Sequence, residues 1–138
     1  MKVVLINTKE AVDRLEKVKI ELSKTSLNYE VFTALPVKEI GNKSEGWTSG
    51  ADSLRRTTIE IVKRHDVNSG PLWIWEDDCV VTDYKFHKFM KDLPLLDSYD
   101  FIHLAHHPSG HFSTKNIGCF RKTLSGVYNC QSYIIAPH

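Results

Sequence analysis

The chain is short of several things, and each shortage excludes a class of protein. Its 138 residues hold three cysteines, Cys79, Cys119 and Cys130, with no Cys-x-x-Cys pair. An odd, scattered set of this kind does not build the disulfide framework of a small secreted domain. No apolar run approaches the roughly 18 residues needed to span a membrane. The opening Met1-Lys2-Val3-Val4-Leu5-Ile6-Asn7 is too short in apolar residues for a secretory leader, whose core needs about 7–15 before a small-residue cleavage site. Charge of one sign is not in excess either, since 18 Lys plus Arg stand against 17 Asp plus Glu, a formal net charge of +1. Without a basic surplus the chain lacks the counterion-releasing surface of a general nucleic-acid binder. No repeat or low-complexity tract is present. A reduced, cytoplasmic domain without a transmembrane segment is the expectation that remains.

What is present is an ordinary globular composition, with 41% hydrophobic and 25% charged residues, which argues against disorder. At this length residues 1–138 read as a single domain able to bury roughly 70% of its unfolded surface. Lys2–Asn7 is a continuous apolar run of the sort that forms a strand buried on both faces. From Glu10 the period changes, and Val12, Leu15, Val18 and Leu22 mark one face of a helix, with Asp13, Arg14, Glu16 and Lys17 between them. Tyr29–Thr33 is strand-like, and Gly41–Gly50 is a loop. A second helix is predicted over Ala51–His65, with Leu54, Thr58, Ile61 and Val62 inward. Leu72-Trp73-Ile74-Trp75 is an apolar strand, its tryptophans expected in the core. Asp83 is placed to cap a short helix carrying Phe86, Phe89 and Met90. Asp100–Leu104 and Ser132–Ala136 close the series as strands. Such alternation predicts an α/β fold, a mostly parallel central sheet flanked by helices with right-handed crossovers. Ligands of open α/β sheets collect beyond the carboxyl ends of the strands. Two strand ends are polar, Asn7-Thr8 and Glu76-Asp77-Asp78.

Three adjacent carboxylates after four large apolar residues are the most informative feature. Like charges at a strand end repel, and partial burial sharpens the conflict. A hard divalent cation, Mg²⁺ or Mn²⁺, relieves it with oxygen ligands while keeping several waters. In extended backbone Glu76 and Asp78 point one way and Asp77 the other. The alternative is a solvated turn whose acids cap the segment that follows.

Several segments in order resemble glycosyltransferase family 25, the lipooligosaccharide and collagen sugar transferases with a GT-A-type fold. Val4-Leu5-Ile6-Asn7 followed by Asp13-Arg14 is similar to the family's opening, and Tyr29–Ala34 to its second strand. Gly46-Trp47-Thr48-Ser49-Gly50-Ala51-Asp52-Ser53 has the length of its Gly-x-x-Gly-Cys-x-x-Ser stretch. Trp75-Glu76-Asp77-Asp78-Cys79-Val80 resembles its Leu-Glu-Asp-Asp box, the local form of Asp-x-Asp, and Tyr133-Ile134-Ile135 its late strand. The chain departs at Leu54, where the family has histidine, at Ala51, where it has cysteine, and at Lys9-Glu10, where it has paired arginines. Family members usually continue past the end of this match, so the single domain is either whole or cut short on its acceptor side.

The resemblance implies a small GT-A-like enzyme that moves a sugar, with inversion, from a nucleotide sugar such as a UDP-sugar to a hydroxyl of a glycan or protein acceptor. Glu76 and Asp78 would hold Mn²⁺ or Mg²⁺ against the diphosphate. Asn7, Thr8, Arg14, Ser53 and Asp77 are the nucleotide-sugar candidates, although Ser53 also suits a helix cap and Arg14 an exposed helix face. Inverting transfer needs a base for the acceptor hydroxyl. His106 and His107 are the candidates, in a segment that holds His103, His106, His107 and His111 within nine residues. Those histidines with Cys119 and Cys130 also raise zinc, although no common zinc spacing is matched and no His-Glu-x-x-His occurs. A metal-dependent phosphoesterase on the same acids and a non-catalytic nucleotide- or sugar-binding module are the remaining alternatives.

Overall fold

The computed structural model describes residues 1–37, 49–95, 99–105, 112–117, 120–123 and 132–136. The branched run at the start forms strand β1 (Lys2–Asn7), and the amphipathic stretch after it forms helix α1 (Val12–Ser23). Strand β2 (Tyr29–Thr33), helix α2 (Ser49–Arg64), strand β3 (Leu72–Glu76) and helix α3 (Asp83–Asp92) follow. The chain continues through β4 (Phe101–Ala105), the hairpin strands β5 (Phe112–Ile117) and β6 (Phe120–Thr123), and β7 (Ser132–Ile135). Thr82, rather than Asp83, occupies the cap position of α3. The hairpin is an element that apolar patterning did not mark. No described helix is long and apolar enough to cross a membrane.

Five strands form one sheet in the order β2-β1-β3-β7-β4. β1 pairs in parallel with β2 and β3, whereas β7 runs antiparallel to both β3 and β4. The sheet is therefore mixed, not mostly parallel. The reason lies between β4 and β7. Parallel neighbours need a crossover that carries the chain back along the sheet, usually a helix. Here the described residues between those strands form the β5–β6 hairpin, and β7 enters the sheet in the reverse direction.

Helices cover both faces. Val3, Leu5, Trp73, Trp75, Ile102 and Ile134 share one buried cluster with Val18 and Leu22 of α1 and Phe89 of α3. Val4, Ile6, Leu72, Ile74 and Tyr133 pack on the opposite face with Ile61 of α2. Each such side chain contributes about 1.5–3 kcal/mol by leaving water. Trp73 lies with its ring centroid 5.2 Å from Trp75 and 5.3 Å from Phe89, and its Nε1 donates to Ser132 Oγ at 2.8 Å. Both tryptophans are core residues, as their position in an apolar strand suggested.

The inner face of α2 differs from the apolar count. Ser53, Thr57 and Ile61 are buried, and Val62 is exposed. The Ser53 hydroxyl donates to the Leu35 carbonyl, Leu35 N–H donates to Thr57 Oγ1 at 2.9 Å, and Thr57 Oγ1 donates to Ser53 O at 2.7 Å. A polar seam thus ties α2 to the backbone just past β2. Leu54 and Ile61 pack inward as the apolar pattern expects, and Thr58 Oγ1 lies 2.9 Å from the Tyr133 hydroxyl; the pattern misses Ser53 and Thr57, whose hydroxyls are satisfied by backbone.

Candidate functional site

The polar strand ends meet at a topological switch point. From β1 the chain leaves through α1 on one face to β2, and it returns through α2 on the other face to β3, on the far side of β1. The connections diverge there, and in open α/β sheets it is beyond the carboxyl ends of the strands at such a point that ligands collect. The register pairs Ile6 with Glu76, so Asn7 and Asp77 come next on their neighbouring segments. Strand alternation sends Val3, Leu5, Trp73 and Trp75 toward α1, and Val4, Ile6 and Ile74 toward α2. Continued by one residue, it directs Asn7 and Asp77 to the α1 side and leaves Glu76 on the α2 side.

Contacts bear this out for Asp77. Its Oδ1 lies 3.2 Å from Nη1 of Arg14, and the carboxylate is 9% exposed against 53% for the arginine side chain. Its other oxygen, Oδ2, is buried without a hydrogen-bond donor. Burial pushes the Asp77 carboxyl above its ordinary range, opposed by Arg14, assisted by Asp78, and opposed again by the backbone amides of Asp77 and Thr8. Asn7 is 6% exposed. Its Nδ2 donates to Thr8 O at 2.6 Å, and that carbonyl also accepts the Ala11 N–H at 3.1 Å. Asn7 Oδ1, like Asp77 Oδ2, is a buried acceptor with no donor. Buried acceptors are nearly always paired, so two at adjacent strand ends mark a place suited to a donor or a cation.

Glu76 is half-buried and holds its proton strongly. Burial first, then the charges of Asp78 and Asp77, raise its pKa to about 7. The turn after it is closed by Cys79 N–H donating to Glu76 O at 3.2 Å, with Asp78 exposed and Cys79 and Val81 buried. Helix α1 holds the far end of this turn as well: Glu21 Oε2 accepts the Val81 N–H at 2.9 Å. Glu21 is a residue that sequence reasoning missed. Its only sequence signal is that it stands seven positions after Arg14, two helical turns along one stripe.

Asn7, Thr8, Arg14, Glu76, Asp77 and Asp78 therefore gather at one end of the sheet. Arg14 is engaged by Asp77 there. Ser53 is not engaged with them, since its hydroxyl is committed to Leu35. His103 is a half-buried strand residue whose ring lies 4.6 Å from Phe101. His106, His107, His111, Cys119 and Cys130 lie outside the described residues. Among the described residues no group of three or more His, Cys, Asp or Glu is placed to hold a metal ion. What Glu76 and Asp78 offer is a pair of hard oxygen donors at a site of raised proton affinity. That donor set fits an ion which completes its shell with water and phosphate oxygens. No family model and no curated protein matches the chain.

Proposed function

We propose that the chain is a metal-dependent glycosyltransferase domain that binds a nucleotide sugar, most naturally a UDP-sugar, at the carboxyl ends of β1 and β3. The observation that carries the reading is the pair of donorless buried acceptors, Asn7 Oδ1 and Asp77 Oδ2, next to the Glu76 carboxyl, whose pKa is raised to about 7 by burial and then by its acidic neighbours. Unpaired acceptors gathered behind an acidic strand end suit a ligand that brings donors and a cation together. A nucleoside supplies N–H and O–H groups, and its diphosphate arrives with Mg²⁺ or Mn²⁺. Glu76 and Asp78 would hold the ion, whose positive charge stabilises the departing diphosphate. Asn7 and Thr8 would meet the base or ribose. Arg14 anchors Asp77 in this reading and does not reach the phosphates. The segmental likeness to glycosyltransferase family 25 supplies the group-transfer chemistry, with a glycan or protein hydroxyl as acceptor and His106 or His107 as base.

The direct experiment is transfer from a panel of radiolabelled nucleotide sugars to glycan and peptide acceptors with Mn²⁺ present. Transfer from one donor, abolished by EDTA, supports the proposal. Donor binding without turnover would make the chain a binding module, and cleavage of phosphodiesters without transfer would make it a phosphoesterase.

A further inference from the structure

We propose that helix α1 is a positioning clamp for the acidic turn, in which Arg14 and Glu21 set the metal affinity of Glu76 and Asp78. The inference rests on the reading of those two acids as the ion site. The turn from Asp77 to Val81 is gripped at both ends by one helix. At its start Asp77 Oδ1 meets Arg14 Nη1 at 3.2 Å, and at its finish the Val81 amide donates to Glu21 Oε2 at 2.9 Å. Between the grips, Cys79 and Val81 insert their side chains into the cluster that holds Val18 and Leu22 of α1. Arg14, Val18 and Glu21 follow a four-then-three spacing, so one helix stripe supplies an ion pair, a buried contact and a hydrogen-bond acceptor.

Such a grip answers a specific problem. Three successive carboxylates repel one another, and a turn left to itself would relax by splaying them. An ion needs its ligands held apart by a fixed distance before it arrives, which calls for supporting contacts behind them. Arg14 commits the Asp77 charge to the α1 side. Glu21 fixes the backbone on the other side of Asp78. Asp78 lies between these anchors and Glu76 directly before the first of them, so the two acids are held in one geometry. Glu21 does not touch the ion; it acts through the Val81 amide and is a positioning residue. Its second oxygen, Oε1, accepts Lys24 Nζ at 2.8 Å, which orients the carboxylate for that task.

The test is a Mn²⁺ titration of the full chain, following free ion by electron paramagnetic resonance, on wild type, Glu21→Ala and Glu21→Gln, with melting temperatures recorded alongside. Both variants lose the same charge, but only glutamine retains an oxygen for the Val81 amide. Loss of one such hydrogen bond is expected to weaken Mn²⁺ binding roughly fivefold in Glu21→Ala, with recovery in Glu21→Gln. Equal affinities in the two variants, whatever their melting temperatures, would overturn the clamp while leaving the ion site standing. A wild-type chain that binds no Mn²⁺ would overturn the ion site and the clamp together. Should Glu21→Ala not fold, Glu21→Asp keeps the charge and withdraws the carboxylate by one methylene. It is then expected to bind Mn²⁺ more weakly than Glu21→Gln, and equal or tighter binding would overturn the clamp.

Discussion

Arg14 in the first turn of α1 places Nη1 3.2 Å from Oδ1 of Asp77, pairing a half-exposed guanidinium with a buried carboxylate. The two ends of this pair are unequal. Water reaches the arginine, whereas the aspartate depends on it. Removing Arg14 leaves a desolvated charge with one oxygen already donorless. Arg14→Ala is expected to cost about 1–2 kcal/mol, less than for a fully buried pair because the guanidinium is solvated. Asp77→Asn in the same chain should recover most of that loss, since no unpaired charge remains. A double-mutant cycle by urea unfolding at pH 7 measures the coupling, and additive losses would show that the pair contributes nothing.

Glu76 gives a pH signature of its own. Its folded pKa of about 7 lies above the ordinary glutamate value of 4.5, through burial and then Asp78 and Asp77. The folded state therefore holds a proton that the unfolded chain releases between those pH values. Stability from this group is complete below pH 4.5 and is lost as pH rises through about 7. Glu76→Gln keeps the neutral form at every pH. It should match wild type in acid and exceed it at pH 8 by about 1–2 kcal/mol, a figure reduced for the solvent that reaches the carboxyl. Parallel melting curves at pH 4.5 and pH 8 check this, and a gain that does not grow with pH contradicts it.

Ser53 and Asn7 separate structure from binding. Ser53→Ala removes a buried hydroxyl that donates to the Leu35 carbonyl and should cost about 1 kcal/mol of stability. UDP affinity in calorimetry should be unchanged, because the hydroxyl is committed to Leu35 and is not among the residues gathered at the ends of β1 and β3. Asn7→Ala should weaken UDP by about 1 kcal/mol through loss of one hydrogen bond to the nucleoside. Equal UDP affinity in wild type and Asn7→Ala would return Asn7 to a purely structural role.

Much of this arrangement was legible in the chain, because it rests on short-range patterns. The run at Lys2–Asn7, the period through Val12–Leu22 and the abrupt change from Trp75 to Glu76 each announce one element or one boundary. The opposite facing of Asp77 and Glu76 follows from strand alternation alone. Four things were not legible. The reversal of β7 depends on what lies between β4 and Ser132, where the sequence has no helical period to carry a parallel crossover. The burial of Ser53 and Thr57 depends on backbone partners at Leu35, distant in sequence. Arg14 looked equally suited to a phosphate or to solvent, and only the position of α1 over β3 gives it Asp77. Glu21 was invisible for the same reason, since its partner is a backbone amide that carries no signature in side chains.

In the proposed transferase, His106 and His107 would bear on catalysis rather than on binding. Replacing both by glutamine removes the titratable group while keeping size and hydrogen bonding. Transfer is expected to fall by roughly 10²–10⁴ with UDP affinity intact, if either is the base. Unchanged transfer would place the base elsewhere, and loss of UDP affinity at unchanged stability would put the nucleotide on the wrong part of the sheet. Bound zinc lost together with stability would favour a structural zinc site instead.

The most direct measurement is the melting temperature with UDP, taken once with Mn²⁺ and once with EDTA, for wild type and Asp78→Asn. A ligand that binds only the folded chain stabilises it by about 2.7 kcal/mol when present at 100 times its dissociation constant. If Glu76 and Asp78 hold an ion that the diphosphate needs, UDP should raise the wild-type melting temperature clearly with Mn²⁺ and hardly at all with EDTA. Asp78→Asn should lose most of that gain while its ligand-free melting temperature stays close to wild type, since Asp78 is exposed. An equal rise with Mn²⁺ and with EDTA, or a full rise in Asp78→Asn, would contradict a metal-bridged nucleotide at this end of the sheet.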